Sequence, residues 1–179
     1  MELKRDNNYY ILLKALVYLI IFSILHFAYD WSNENDIVGI FSGTDESVFQ
    51  HMKIGFYSYS IVAMIEFLIY IKQIEKSERG KFFYSRLLSM ILIPWFMMVL
   101  YSTAAMFFNE QPPYVFEIIY SILMGYITLL PVLMLEAWYD KFEFSYRVKI
   151  LIIVLAVIMI VEFTVFTLNK PWHDIFTAP

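Results

Sequence analysis

The sequence predicts an all-α fold, an integral membrane bundle of five transmembrane helices with the N-terminus inside and the C-terminus outside. Three observations predict it. Of the 179 residues, 60% are hydrophobic and only 17% are charged, against about 45–50% apolar and about 25% charged in a soluble domain. The apolar residues are gathered into five blocks, 11–29, 54–71, 87–108, 114–138 and 148–168. Each is near the ~20 helical residues that cross a hydrocarbon core about 30 Å thick. The basic residues are one-sided. Lys4, Arg5 and Lys14 precede or enter the first block, Lys72, Lys76, Arg79, Lys81 and Arg86 lie between the second and third, and Lys141, Arg147 and Lys149 lie between the fourth and fifth. Only Lys53 and Lys170 fall on the other side, so the positive-inside rule sets the orientation.

Each element follows in order. The first helix is expected at about 10–29. It is too long for a signal-peptide core, and Asp30-Trp31-Ser32-Asn33 offers no small-residue cleavage site. An acidic outer loop, 30–44, carries Asp30, Glu34 and Asp36, with Gly39 and Gly43 permitting tight turns. The second helix is expected at 45–74, with Thr44 as N-cap and Asp45 and Glu46 in its first turn. The third is expected at 84–108 with Pro94 inside it. The fourth is expected at 113–139, opened by Pro112-Pro113 and holding Pro131. The fifth is expected at 147–168. The runs are too long and too continuous for barrel strands, and one domain spans 1–179. With no cysteine, disulfides, thiol nucleophiles and Cys-ligated metals are excluded.

The polar residues inside the blocks are the candidates for chemistry, because ionisable groups at membrane depth are costly and normally face a bundle interior or a wet cavity. In this topology His26, His51, Tyr101, Ser102, Glu117 and Glu162 share the outer depth layer. On the fourth helix Glu117, Ser121, Gly125 and Thr128 fall on one face, and on the second helix so do Ser47, His51 and Ser58. An outward-opening polar pocket is expected from His26, His51, Ser58, Tyr101, Ser102, Glu117, Ser121 and Glu162, with Asp30 nearby and Glu46 over its mouth. His26, His51, Glu46 and Glu162 are the candidates for acid–base catalysis. A divalent metal ion held by His26, His51 and Glu46 is compatible with zinc's nitrogen and oxygen ligands. Glu66 and Glu162 are candidates for proton coupling. Glu66 lies about 22 Å along the helix from His51, too far to share its ligand. Glu136, beside Trp138 and Tyr139, reads as interfacial.

The strings His26-Phe27-Ala28-Tyr29-Asp30-Trp31, Phe41-Ser42 with Glu46-Ser47, His51 and Lys53, and the closing Pro171-Trp172-His173-Asp174-Ile175-Phe176 resemble an uncharacterised family of small prokaryotic polytopic membrane proteins. The resemblance implies a multi-pass protein of a prokaryotic cytoplasmic membrane and supplies no activity. No HExxH, GxSxG, Walker or GxGxxG motif is present, and no basic face suggests nucleic acid. Three classes follow. One is a pocket protein that binds or transports a small or lipid-like ligand. Another is a membrane-embedded hydrolase or isomerase using His and carboxylates, metal-assisted or not. The third is a structural or accessory subunit. The expected partners are the lipid bilayer, the ligand and a second copy in a homodimer.

Overall fold

The computed structural model describes residues 7–107 and 114–177, and their side chains except at 102, 104–107, 114–118 and 121. The elements are α1 (Asn8–Trp31), α2 (Asp36–Phe41), α3 (Val48–Tyr70), α4 (Arg79–Phe107), α5 (Tyr114–Tyr139), α6 (Tyr146–Leu168) and a closing 3-10 turn, Asp174–Phe176. There is no strand among the described residues. Five helices are long and apolar enough to cross a membrane: α1, α3 and α6 throughout, α4 over Arg79–Tyr101 and α5 over Ile122–Tyr139. This is the architecture of a multi-pass membrane protein.

Caps set the boundaries. Asn7 accepts from Tyr9 N at the start of α1, and Asn35 accepts from Ile37 N and Val38 N at the start of α2. The short α2 within the 30–44 loop was not anticipated, although Asn35-Asp36 is a good helix opening. The second long helix starts later than expected. Ser47, not Thr44, is its N-cap, its Oγ accepting from Gln50 N, while Asp45 Oδ1 accepts from Ser47 N at 2.8 Å. Asp45 and Glu46 therefore stand before the helix rather than in its first turn, a shift that positions the site described below.

In neighbour order, α1 packs on α3, α3 on α4, α4 on α5, and α5 back on α1. The four helices close a ring. α6 lies outside it against α4 and α2, and its surface is studded with exposed apolar residues such as Ile150, Val154, Val157 and Val161. Phe163 joins it to the core through Phe49 and Phe56. Between apolar helices in lipid, association depends on close packing and polar links, and the ring has both.

The close packing centres on Gly55. A Cβ there would lie 2.5 Å from Met97 Sδ, 3.1 Å from Tyr18 Oη and 3.3 Å from Ile93 Cγ2. Gly55→Ala is expected to lower stability by about 1–3 kcal/mol, the usual cost of overpacking, read as a lower unfolding midpoint in detergent. An unchanged midpoint would show that the α1–α3–α4 contact is loose.

The polar links occupy both ends. At the tail end, where α1 finishes and the chain terminates, the fully buried Lys53 donates from Nζ to Gly39 O at 2.6 Å and to Thr167 Oγ1 at 2.9 Å, joining α2, α3 and α6. Lys170 meets Asp45 at 2.8 Å, and Phe176 packs on Phe49 and Phe166. Burial opposes ionisation of Asp45, but the hydrogen bonds from Lys170 and Ser47 prevail and hold it below its ordinary value.

At the opposite end the ring encloses an ionic cluster. Lys14 of α1 donates to Glu66 of α3 at 2.6 Å and to Glu136 of α5. Arg86 of α4 reaches Glu66 at 2.5 Å and bonds Asp140, just past α5. Tyr59 of α3 donates to Glu136, and Ser85 of α4 to Asp140 at 2.5 Å. Glu136 is thus 3% exposed, not interfacial as the sequence suggested, because two cations and a phenol satisfy it inside the bundle.

Candidate metal centre

His26 lies on α1, one turn before its end, and His51 lies on the first turn of α3, where Ser47 caps it. Glu46 immediately precedes that cap. Because α3 begins at Val48, the five-residue spacing between Glu46 and His51 is no longer a spacing along one helix. From its place just before the cap, the Glu46 carboxylate reaches both imidazoles.

Three atoms converge. His26 Nε2 stands 3.3 Å from His51 Nε2 and 3.4 Å from Glu46 Oε2, and His51 Nε2 stands 3.6 Å from the same oxygen. Zinc at about 2.0–2.2 Å from tetrahedral ligands holds those ligands about 3.3–3.6 Å apart. The three contacts match three edges of such a tetrahedron, and among the described residues no further His, Asp or Glu joins the set. His26 and His51 are enclosed, at 19% and 14% side-chain exposure, whereas Glu46 is 64% exposed at the mouth.

Two further details prepare the set for a cation. His51 Nδ1 lies 2.9 Å from Ser47 O. A carbonyl only accepts, so Nδ1 carries the hydrogen, and the lone pair of the neutral ring is on Nε2, facing the cluster. This is the arrangement by which a backbone carbonyl orients a ligating histidine. The hydrogen bond with His26 holds the Glu46 carboxyl below its ordinary value, against an opposing contribution from partial burial, so it is an anion at neutral pH. The rings of Phe22 and Tyr101 flank His51, Tyr101 stacked at 6.0 Å between centroids.

The cluster forms one end of a cavity of about 370 Å³. Leu19, Phe22, Ser23 and Phe27 of α1, Met52 of α3, Met97 and Tyr101 of α4, and Ile122, Gly125 and Thr128 of α5 line the rest. The polar stripe read on the fourth helix therefore faces the cavity at Gly125 and Thr128.

The other sequence candidates fall elsewhere. The side chains of Ser102, Glu117 and Ser121 lie outside the described residues. Ser58 is buried, but it does not line the cavity, since it stands about 10 Å further along α3 than His51. Asp30 is exposed at the end of α1. Glu162 is exposed on α6 and does not line the cavity, because α6 packs outside the ring. Glu66 belongs to the ionic cluster at the other end. His173 caps the closing 3-10 turn by accepting from Ile175 N. The cavity's apolar lining carried no sequence signal of its own, as Leu19, Met52 and Met97 read like any membrane-helix residue.

The sequence model of a family of unknown function (DUF6512) matches residues 1–178. The chain belongs to DUF6512. That membership covers essentially the whole bundle and supplies no activity. No curated protein matches the chain, and no solved structure does. What a member of DUF6512 does has to be read from the chemistry of its own side chains.

Proposed function

We propose that this protein is a membrane-embedded hydrolase whose reacting centre is a divalent metal ion of the zinc class, held by His26, His51 and Glu46. The single observation that carries the reading is the set of three ligand-atom separations, 3.3, 3.4 and 3.6 Å, at the lining of a cavity, with no fourth His, Asp or Glu among the described residues. Closed four-ligand sites are structural, and three protein ligands with an open position are the catalytic pattern. In the orientation given by the positive-inside rule, the centre faces the outer side.

An ion in this position would polarise a carbonyl oxygen and lower the pKa of a water. Such an ion would supply an activated water for ester hydrolysis, in which the water oxygen would add to the carbonyl carbon, the bond to the leaving oxygen would break and one water proton would pass to that oxygen. The Glu46 carboxylate, exposed at the mouth, is the group suited to hand the proton on. Transport coupled through Glu66 and Glu162 has less support. One is committed to ion pairs with Lys14 and Arg86, and the other lies on the outer surface of α6.

Purified full-length protein, stripped of metal and titrated with zinc in nanodiscs, is expected to bind one ion per chain. It should then hydrolyse a 4-nitrophenyl ester at a rate that a chelator abolishes. Uptake is expected to weaken on acidification, because imidazole nitrogens must be unprotonated to ligate. Failure to retain zinc at neutral pH would reduce the cluster to a hydrogen-bonded His–His–Glu group and overturn the proposal.

A further inference from the structure

The shape and lining of the cavity specify more than its reacting end. Its walls are apolar, from Leu19 and Phe22 on α1, Met52 on α3, Met97 on α4 and Ile122 on α5, and the polar groups that bind charge are gathered at one end. Ligand sites bury their ligand's bulk in apolar walls and fix its orientation with a few polar groups. From Leu19 to Phe27, the lining of α1 runs about 12 Å along the helix. The volume, about 370 Å³, is at the lower end of the range of about 300–1,000 Å³ for ligand sites. That favours one hydrocarbon chain over two. Met52, Met97 and Met124 contribute to the lining, and methionine walls adapt to a flexible chain.

The cavity has a side as well as an end. Among its lining residues, Phe27 of α1 is 48% exposed and Ile122 of α5 is 55% exposed, and Ser23 of α1 is exposed on the same face as Phe27. On the opposite wall, Met52 of α3 is buried. The exposed lining residues come from α1 and α5, which places the opening as a slot beside the contact between these two helices. Both helices belong to the set long and apolar enough to span a membrane, so the slot faces hydrocarbon. At the polar end, two neutral imidazoles, one carboxylate and a divalent ion sum to a net positive charge, which suits a carboxylate or a carbonyl oxygen.

We infer that the substrate is a single-chain acyl amphiphile that enters from the bilayer between α1 and α5, its carbonyl at the His26–His51–Glu46 cluster and its chain along Leu19, Phe22, Met52 and Met97. This rests on the metal-centred reading given above. Gly125 offers the means to test it apart from the metal. An added Cβ there meets only Leu19 Cδ2, at an ordinary 3.6 Å, so a larger side chain at 125 projects into the cavity without touching His26, His51 or Glu46.

The probe is 11-(dansylamino)undecanoate, a fluorescent fatty acid, added to full-length zinc-loaded protein in nanodiscs. Wild type is expected to bind it saturably, and unlabelled dodecanoate should displace it while acetate does not. Gly125→Phe is expected to weaken the probe at least ten-fold with one zinc per chain retained. Gly125→Ala, which leaves most of the space, is expected to stay within about three-fold of wild type and guards against a general effect of substitution at this position. Three results would overturn the inference: no saturable binding to zinc-loaded wild type, equal displacement by acetate and dodecanoate, or equal affinity in Gly125→Phe. Each would leave the metal reading standing. Zinc-independent probe binding that Gly125→Phe still abolishes would uphold the chain cavity and remove the metal from the substrate's recognition.

Discussion

Lys14→Met is expected to destabilise the bundle by about 3–5 kcal/mol, the range for breaking a buried ion pair from one side. Lys14 is 6% exposed and serves two carboxylates, Glu66 and Glu136, on two different helices. Its removal leaves Glu66, Glu136 and Asp140 to share the guanidinium of Arg86, which lies 3.6 Å from Glu136 through Nε. Bringing a carboxylate out of solvent without a full partner costs far more than a pair returns when both members are present. The reciprocal change tests that asymmetry. Lys14→Met combined with Glu136→Gln removes one charge of each sign, and the glutamine oxygen can still accept from Tyr59. The double variant is expected to recover at least half of the single variant's loss. Unfolding in mixed micelles, followed by tryptophan fluorescence, measures both. A single variant within about 1 kcal/mol of wild type would show that water reaches the cluster and screens it.

The cluster also marks where the sequence stopped being legible. Five spans could be read because lipid leaves backbone groups no partner but their own helix, which forces long uninterrupted apolar runs. Lys14 and Arg86 could be read only as orientation markers. Position along the chain shows which side of the membrane a charge approaches, and not which carboxylate on another helix lies at its depth. Glu136 was misread for the same reason, as its neighbours Trp138 and Tyr139 do resemble an interfacial belt. Glu162 was expected inside the bundle, yet it is exposed on α6. A helix that is apolar all round gives no phase by which to orient one polar residue.

The convergence of His26, His51 and Glu46 was the better case. His26 and His51 could be placed at one depth from helix length alone, and Glu46 could be placed over them. Glu46 and His51 are five residues apart, a poor spacing for two ligands on one helix, and that ceases to matter once Ser47 caps α3. Thr44 and Ser47 are both acceptable N-caps. The side-chain acceptance of Ser47 N by Asp45 Oδ1 favours the later start, and a one-dimensional sequence does not show that choice.

His51→Ala is expected to lower zinc affinity by more than 100-fold. Loss of a residue that merely orients a ligand typically costs about 10–100-fold, and removing a direct ligand exceeds that. Glu46→Gln is expected to cost less, about 10–100-fold, since an amide oxygen still reaches the ion but brings no charge. Ser47→Ala separates the cap from the metal. The Ser47 hydroxyl accepts from Gln50 N, and its loss is expected to cost about 1 kcal/mol of stability. The bond that orients His51 runs to the Ser47 backbone carbonyl and survives the change, so zinc affinity is expected to remain within ten-fold of wild type. Competition with a chelator of known affinity gives all three values on one scale. The predicted order is His51→Ala weakest, then Glu46→Gln, then Ser47→Ala close to wild type. Equal zinc affinity in wild type and His51→Ala would mean that the ion binds elsewhere, and the convergence of two imidazoles and a carboxylate would then be a hydrogen-bonded joint between α1 and α3.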